Sequence, residues 1–254
     1  MKKYLTISLL FLLAANGLFA QVDLDLGLLD GDGELRTIYV QRHRLNDQYI
    51  VNLDLGAYIG LGNNIWTRWG YRGSILRNIN DFYKVDLGFM YNRVHLFDEI
   101  DDGETKEKFD LTSHELRPHQ TLHVNYPRFQ SSVLKHRFRL EERFFTYSDS
   151  DYRKSKVRLR YRVMHSARFD GKTITPKSLF YRASAEFNFN IYQEAEDVFW
   201  VRGRYTLGLG YQFSAKLSAD MNYFYEHTKV GKDYDQIVTH IFHFAVRHTI
   251  NWNK

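Results

Sequence analysis

The segment SVLKHRFRLEERFFTY, residues 132–147, decides the fold because charged and apolar side chains alternate along it one residue at a time. Its charged parity holds Lys135, Arg137, Arg139, Glu141 and Arg143. The other parity is mostly leucine and phenylalanine. Successive side chains of a β-strand point to opposite faces, whereas a helix would mix the two sets on every face. The segment therefore predicts a long strand with one charged face and one apolar face.

The same alternation recurs along most of the chain and predicts an all-β protein of twelve strands. We place the strands at residues 22–29, 34–44, 49–60, 65–76, 82–96, 111–126, 132–147, 153–168, 178–193, 198–213, 217–228 and 237–252. The first strand is short, and ten strands is the alternative if it is disordered. Pro118 interrupts the sixth and predicts a bulge or a local loss of pairing, because proline has no amide hydrogen to donate. Residues 97–110 are rich in Asp and Glu and predict a solvated, flexible loop.

Residues 1–20 have the features of a secretory signal peptide, namely Lys2 and Lys3 followed by the short apolar run LTISLLFLLAANGLFA. Residues 21–254 are then expected to form one mature domain. This part has no run of about eighteen apolar residues, so it offers no transmembrane helix. The chain contains no cysteine, which excludes disulfide bonds and a lipoprotein anchor.

An exported all-β chain with charged and apolar strand faces is either a secreted sandwich or an outer-membrane barrel. Strand length separates the two, because sandwich strands have about five or six residues and tilted membrane-spanning strands about nine to eleven. The strands predicted here are of the longer kind. We therefore expect a single antiparallel, up-and-down transmembrane β-barrel in the outer membrane of a Gram-negative bacterium. Its expected partners are outer-membrane lipids and, during biogenesis, the barrel-assembly machinery.

Strand parity also predicts an orientation for this barrel. Bacterial single-chain barrels have even strand numbers, which puts both chain termini on the periplasmic side. With twelve strands, the acidic segment at residues 97–110 lies outside the cell. Short connections such as Asn46-Asp47 then lie at the periplasmic rim.

The charged parity is expected to face the lumen, because a lysine or arginine turned to lipid at mid-depth costs about 2–4 kcal/mol. Basic residues outnumber acidic ones on this parity, so the lumen is expected to be strongly positive. Arginines can pair bidentately with glutamates on neighbouring strands and fill the interior. The expected lumen-lining set is Glu115, Arg117, Arg137, Arg139, Glu141, Arg143, Arg158, Arg160, Arg162, Arg182, Glu186, Arg202 and Arg204.

Several of these strands also carry a family resemblance. The stretches are HELRPHQ (residues 114–120), HRFRLEERF (136–144), RLRYR (158–162), the strand at 182–186 and LGLGYQFS (207–214). Together they resemble the bacterial family known as domain of unknown function 2490, over nearly the whole mature chain. The resemblance implies an outer-membrane barrel without an assigned activity, and it supplies no catalytic residues.

The basic lumen supports two functional hypotheses. A positive, low-dielectric passage concentrates anions and excludes cations, which predicts a narrow anion-preferring channel for a small anionic solute. Alternatively, arginines and glutamates pair into a plug that holds the barrel shut, and the lumen is structural. The sequence leaves both open.

Two further hypotheses come from other functional classes, a lipid-modifying enzyme similar to a deacylase or phospholipase, and a surface binding protein. The enzyme would need a serine and a histidine in contact. Ser113 and His114 are neighbours that point to opposite faces, so we predict no catalytic residue. His119 and His123 share a face and could hold a metal with carboxylates, but lumen lining is the favoured interpretation. We expect no cofactor, and no nucleic acid as a partner, because the basic side chains point inward.

Overall fold

The computed structural model describes residues 32–61, 66–101, 106–126, 131–148, 150–192, 200–230 and 235–252. Eleven β-strands make up this part of the chain. They are β1 (Asp32–Arg44), β2 (Tyr49–Gly60), β3 (Trp66–Asn78), β4 (Tyr83–Asp101), β5 (Lys106–Asn125), β6 (Val133–Tyr147), β7 (Ser150–Arg168), β8 (Ser178–Tyr192), β9 (Trp200–Gln212), β10 (Leu217–Val230) and β11 (Asp235–Asn251). Over the same residues, no helix has the length and apolar character needed to cross a membrane.

The strands close into one barrel in which each pairs with its neighbour in sequence, and β1 pairs with β11. This confirms the all-β barrel, but the prediction of twelve strands, or of ten, is wrong. The β1 strand is paired antiparallel with β2 and parallel with β11, so the circuit closes with eleven strands. The predicted strand at residues 22–29 and the predicted signal peptide lie outside the described residues.

The parallel closure fixes where the described chain begins and ends; the predicted periplasmic N-terminus rests on residues before Asp32, which lie outside the described residues. Because β1 and β11 run in the same direction, Asp32 and Asn251 lie at opposite ends of the barrel. An even strand number would have put the two ends on one side. The sequence could not reveal this, because the closing pair joins segments about two hundred residues apart.

The prediction of a solvated loop at the acidic residues 97–110 is also wrong. Outside residues 102–105, this segment continues the β4 and β5 strands rather than forming a loop. The register sets Glu99 opposite Lys108 and Asp101 opposite Lys106. The backbone pairing of β4 with β5 therefore continues into the segment that its composition assigned to a loop.

Pro118 has the effect predicted from the sequence. The pairing of β5 with β6 passes from Leu116 opposite Phe144 to His119 opposite Glu141, and the two residues between are unpaired on this side. The register is unchanged across the gap. The loss of pairing is therefore local, as expected for a residue without an amide hydrogen.

Short turns gather at one end of the barrel, which we call the short-turn end. They include residues 45–48, 79–82 and 213–216. An asparagine stabilises two of these turns in the same way. The Asn46 and Asn80 side-chain oxygens each accept hydrogen bonds from two backbone amides that follow them. In the turn at 169–177, the Lys172 amide donates to Asp170, and this bond, helped by Arg168, lowers the pKa of that carboxyl.

The two faces of the sheet reverse the pattern of a water-soluble protein. Leu87, Leu207 and Met221 point outward and are 65%, 64% and 62% exposed. Glu115 and Glu141 point inward and are each 1% exposed. The charged parity thus forms the barrel interior, and the apolar parity covers the outside.

A glycine contact sets a test of this packing. A methyl group on Gly88 would clash with the Gly73 carbonyl oxygen and lie 2.5 Å from the Ser74 Cβ. We expect Gly88→Ala to lower the free energy of unfolding by about 1–3 kcal/mol through overpacking. The matched Gly73→Ala change meets its nearest atom at 3.5 Å and should shift it by less than about 1 kcal/mol. Urea unfolding followed by tryptophan fluorescence measures both, and equal effects would contradict the proposed packing.

Candidate functional site: the charged barrel interior

The interior is lined by the inward-facing parity of the strands around the barrel, and its centre is built around three buried glutamates. Glu115 lies on β5, Glu141 on β6 and Glu186 on β8. Each is 3% exposed or less. A buried carboxylate is stable only when charged or polar groups surround it, so their partners define the site.

Glu141 receives three arginines. Arg158 Nη2 lies 2.5 Å from its Oε2, and Arg160 Nη1 lies 2.7 Å from its Oε1. Arg117 approaches from the other side at 3.7 Å. One carboxylate therefore joins β5, β6 and β7 across the interior.

Glu115 is bound from its own strand and from both neighbours. Arg117 Nη2 lies 2.6 Å from Oε2 and its Nε 3.0 Å from Oε1, which is the bidentate geometry that makes arginine pairs strong. Arg143 Nε on β6 lies 2.5 Å from Oε1. Asn92 on β4 donates to Oε2 over 2.9 Å and is itself fully buried.

Glu186 extends the chain of contacts to β9. Arg160 Nη2 lies 2.5 Å from its Oε1, and Arg137 also pairs with it. Arg204 lies 3.8 Å away and pairs with Glu226 on β10. Because Arg160 contacts both Glu141 and Glu186, the pairs form one connected set, which we call the central network.

A second group of contacts lies nearer the short-turn end. Asp86 accepts from His123 Nε2 over 2.7 Å and faces His119 at 3.4 Å. Arg139 donates to the Thr121 hydroxyl over 2.9 Å and approaches Asp86 only to 4.0 Å. The two histidines thus line the lumen. In the part of the chain that the structure describes, no group of three or more His, Asp or Glu side chains could hold a metal ion.

Two further carboxylates, with three ion pairs between them, lie at a similar depth around the wall. Arg72 pairs with Asp54, and Asp220 pairs with both Arg182 and Arg247. The Arg182 Nη1 to Asp220 Oδ2 distance is 2.7 Å. These carboxylates are therefore occupied by cations of their own.

The residues expected from the sequence fall into two kinds. Twelve of the thirteen contact an oppositely charged group within 4.0 Å. Most of the arginines pair with a glutamate, whereas Arg139 pairs with Asp86 and Arg182 pairs with Asp220. Arg162 is the exception among the described residues, because it forms no ion pair although it lies on the same face as Arg158 and Arg160.

Sequence reasoning missed the contribution of β1, because the expected set began only with later strands. Arg36 is buried, pairs with Glu34 at 2.5 Å and lies 5.1 Å from the Tyr58 ring centre. Arg68 approaches the same ring at 5.6 Å. The sequence does indicate an inward-facing charged side of β1, since positions 34, 36, 42 and 44 are charged and share one parity.

The outward histidines bear on the enzyme hypothesis. His114, His136 and His240 each hydrogen-bond a tyrosine hydroxyl, at 2.6, 2.8 and 2.6 Å. His248 does the same with Tyr39 at 3.2 Å. These contacts place tyrosine, rather than serine, beside the histidines. Ser113 points into the barrel and is 5% exposed.

Comparisons with known proteins find a family profile and two outer-membrane proteins that are similar to this chain. A sequence profile of the family described as "Protein of unknown function (DUF2490)" matches residues 37–237. No curated protein matches the chain. The translocator domain of the autotransporter NalP from Neisseria meningitidis is 13% identical with a TM-score of 0.45, over 75% of this chain and 71% of that chain. Outer-membrane expressed OmpT of Vibrio cholerae is 12% identical with a TM-score of 0.37, over 71% and 55%. The likeness concerns the fold alone.

Neighbouring glutamates on β6 test the energetic role of the central network. Glu141→Gln removes the charge that Arg117, Arg158 and Arg160 share, so we expect it to lower the free energy of unfolding by about 3–5 kcal/mol. Glu142→Gln, on the exposed outer face, should change it by less than about 0.5 kcal/mol. Urea unfolding of both variants gives the comparison, and a small effect at Glu141 would mean that the network does not stabilise the barrel.

Proposed function

Since the chain belongs to the family described as protein of unknown function DUF2490 and closes into a barrel, we propose that it is an integral outer-membrane protein whose lumen is held shut by the central network. The near-complete burial of Glu115, Glu141 and Glu186 carries this proposal. An open, water-filled passage along the centre would leave these carboxylates accessible. The protein then acts as a sealed barrel rather than as an open pore.

The outer surface supports the membrane location. Large apolar side chains such as Leu87, Leu207 and Met221 are exposed on many strands, and soluble monomers rarely expose apolar patches above a few hundred Å². A closed barrel also leaves no unpaired edge, which hydrocarbon does not tolerate. Exposed Tyr126, Tyr211 and Trp252 near the short-turn end suit an aromatic girdle at one interface.

The orientation follows from the turns. Outer-membrane barrels place short turns in the periplasm and longer connections outside. The short-turn end is therefore the periplasmic end, and the long β4-β5 hairpin extends outward. The signal peptide expected at residues 1–20 supports export across the inner membrane.

A narrow anion-preferring passage is the second candidate, and the charge balance of the interior favours it. Cations outnumber carboxylates on the inner face, and Arg162 forms no ion pair in the described chain. Such a lumen would attract anions and repel cations. The two candidates differ in whether the central network interrupts the path.

Planar-bilayer recordings separate the candidates. We expect the wild-type barrel to give no steady current. Arg160→Ala should give discrete current steps, because Glu141 and Glu186 lose the cation that joins them and water enters between them. The control Arg153→Ala removes an exposed arginine from the outer face of the same strand and should stay silent. A steady anion-selective current through the wild type, read from its reversal potential in a salt gradient, would favour the passage instead.

Substitution of an outward leucine tests the membrane location itself. Leu207→Arg places a charge halfway along β9, and we expect it to destabilise the barrel in lipid bilayers by about 2–4 kcal/mol. Leu45→Arg, in a rim turn, should cost less than about 1 kcal/mol. Chemical unfolding from vesicles gives both values. The membrane proposal fails if Leu207→Arg is harmless and the protein stays dispersed without detergent.

A further inference from the structure

Four cations near the short-turn end point into the lumen without an ion-pair partner. Arg42, Lys84, Lys135 and Arg162 lie on β1, β4, β6 and β7, each on the inward parity of its strand. None of the four forms an ion pair with a described carboxylate. We call these four residues the vestibule cluster.

The members of the vestibule cluster surround one space. Lys135 interacts electrostatically with Arg42, Lys84 and Arg162, and Lys84 interacts with Arg42. Arg42 on β1 lies across the lumen from Lys135 and Arg162 on the adjacent strands β6 and β7, and Lys84 on β4 lies on the wall between them. Cations held close together in this way repel one another.

The carboxylates that border this space are already occupied. Asp54 is paired with Arg72, and Asp86 accepts from His123. Asp220 is paired with two arginines. These pairs form the inner floor of the space. Asp54, Glu186 and the turn residue Asp81 attract Arg42, Arg162 and Lys84 from beyond ion-pair distance. The protein's own acids therefore relieve the repulsion within the vestibule cluster only in part.

The space is open to water at one side only. Arg42 and Lys135 are exposed, and the Arg72 and Arg247 side chains on the floor are still 32% and 33% exposed. Farther in, Glu141 is 1% exposed. A soluble ligand could therefore reach the vestibule cluster from the short-turn end and would stop at the central network.

We propose that the vestibule cluster binds a phosphate-type oxyanion carrying at least two negative charges. Two guanidinium groups, from β1 and β7 on opposite walls, offer forked donors that match phosphate oxygens, and two ammonium groups, from β4 and β6, add point charges from the wall between them. A multivalent anion offsets the repulsion among four cations better than single chlorides do. The phosphate belongs either to a small soluble molecule or to a lipid headgroup. This inference rests on the proposed sealed lumen, because the central network makes the space a closed-ended site.

Calorimetric titration of the full-length barrel in maltoside detergent, which contains no phosphate, tests the site. Inorganic pyrophosphate is added at constant ionic strength. Wild type should bind it, and the double variant Lys135→Gln/Arg162→Gln should bind about a hundredfold more weakly, at roughly tenfold for each cation lost. The control variant Arg77→Gln/Lys172→Gln removes the same two charge types from exposed positions at the same end and should stay within about twofold of wild type.

A second variant and a second probe complete the titration experiment. The charge-preserving variant Lys135→Arg/Arg162→Lys should regain most of the affinity, which distinguishes loss of charge from loss of folding.

Titration with dihexanoyl phosphatidate identifies the source of the phosphate. Binding of pyrophosphate indicates a soluble phosphate ligand, and binding of phosphatidate alone indicates a lipid headgroup. Equal affinity in wild type and the neutralised variant, for both probes, would overturn the site. Conductance reports separately on the seal, so a leaky wild type that still binds pyrophosphate refutes the sealed lumen and not the vestibule site.

Discussion

A connected set of arginine-carboxylate pairs replaces the apolar core in this barrel, and the rest of the structure depends on it. Most of the apolar side chains lie on the outside, and the few that are buried inside, such as Ile241 and Phe180, cannot fill the interior alone. The inner face must then be filled by side chains that are long enough to meet across the lumen and that satisfy one another's charge. Glu115, Glu141 and Glu186 do this by accepting several arginines each, from their own and neighbouring strands. Such burial is tolerable because each carboxylate receives several charged donors, whose attraction and hydrogen bonds offset the cost of removing it from water.

Much of this arrangement could be predicted because charged and apolar residues alternate along the strands in the sequence itself. The period of two in residues 132–147 fixes which side chains share a face, and the bounds of β2 at Tyr49–Gly60 match the prediction. The partners of Arg160 could not be predicted, since its contacts with Glu141 and Glu186 depend on strand register and on the tilt of three strands. The strand number also could not be predicted, because the alternation in residues 22–29 is typical of a strand, whereas closure depends on the long-range pairing of β1 with β11. The acidic segment was misjudged for a related reason, as composition alone does not reveal that Glu99 faces Lys108.

The interior divides along the barrel axis into a dry part and a wet part. Around Glu141 every nearby cation has a carboxylate partner, and exposure falls almost to zero. Toward the short-turn end, the inward-facing Asp54 and Asp220 border a region of cations that form no ion pair within the described chain. The excess positive charge of the inner face therefore lies where water can solvate it. This separation lets one barrel keep a seal at its centre and an accessible basic surface at one mouth.

The choice between arginine and lysine follows the same division. Around Glu115, Glu141 and Glu186 the described cations are all arginines, whereas the inward-facing lysines of the described strands, such as Lys84, Lys135 and Lys156, stand toward the two ends. Arginine is more weakly hydrated and presents a planar fork, so one side chain can join two carboxylates without water, as Arg160 does. Lysine is a compact, strongly hydrated charge that loses more when it leaves water. The position of lysine therefore marks where water or a dissolved anion meets the lumen, and the all-arginine centre marks where they are excluded.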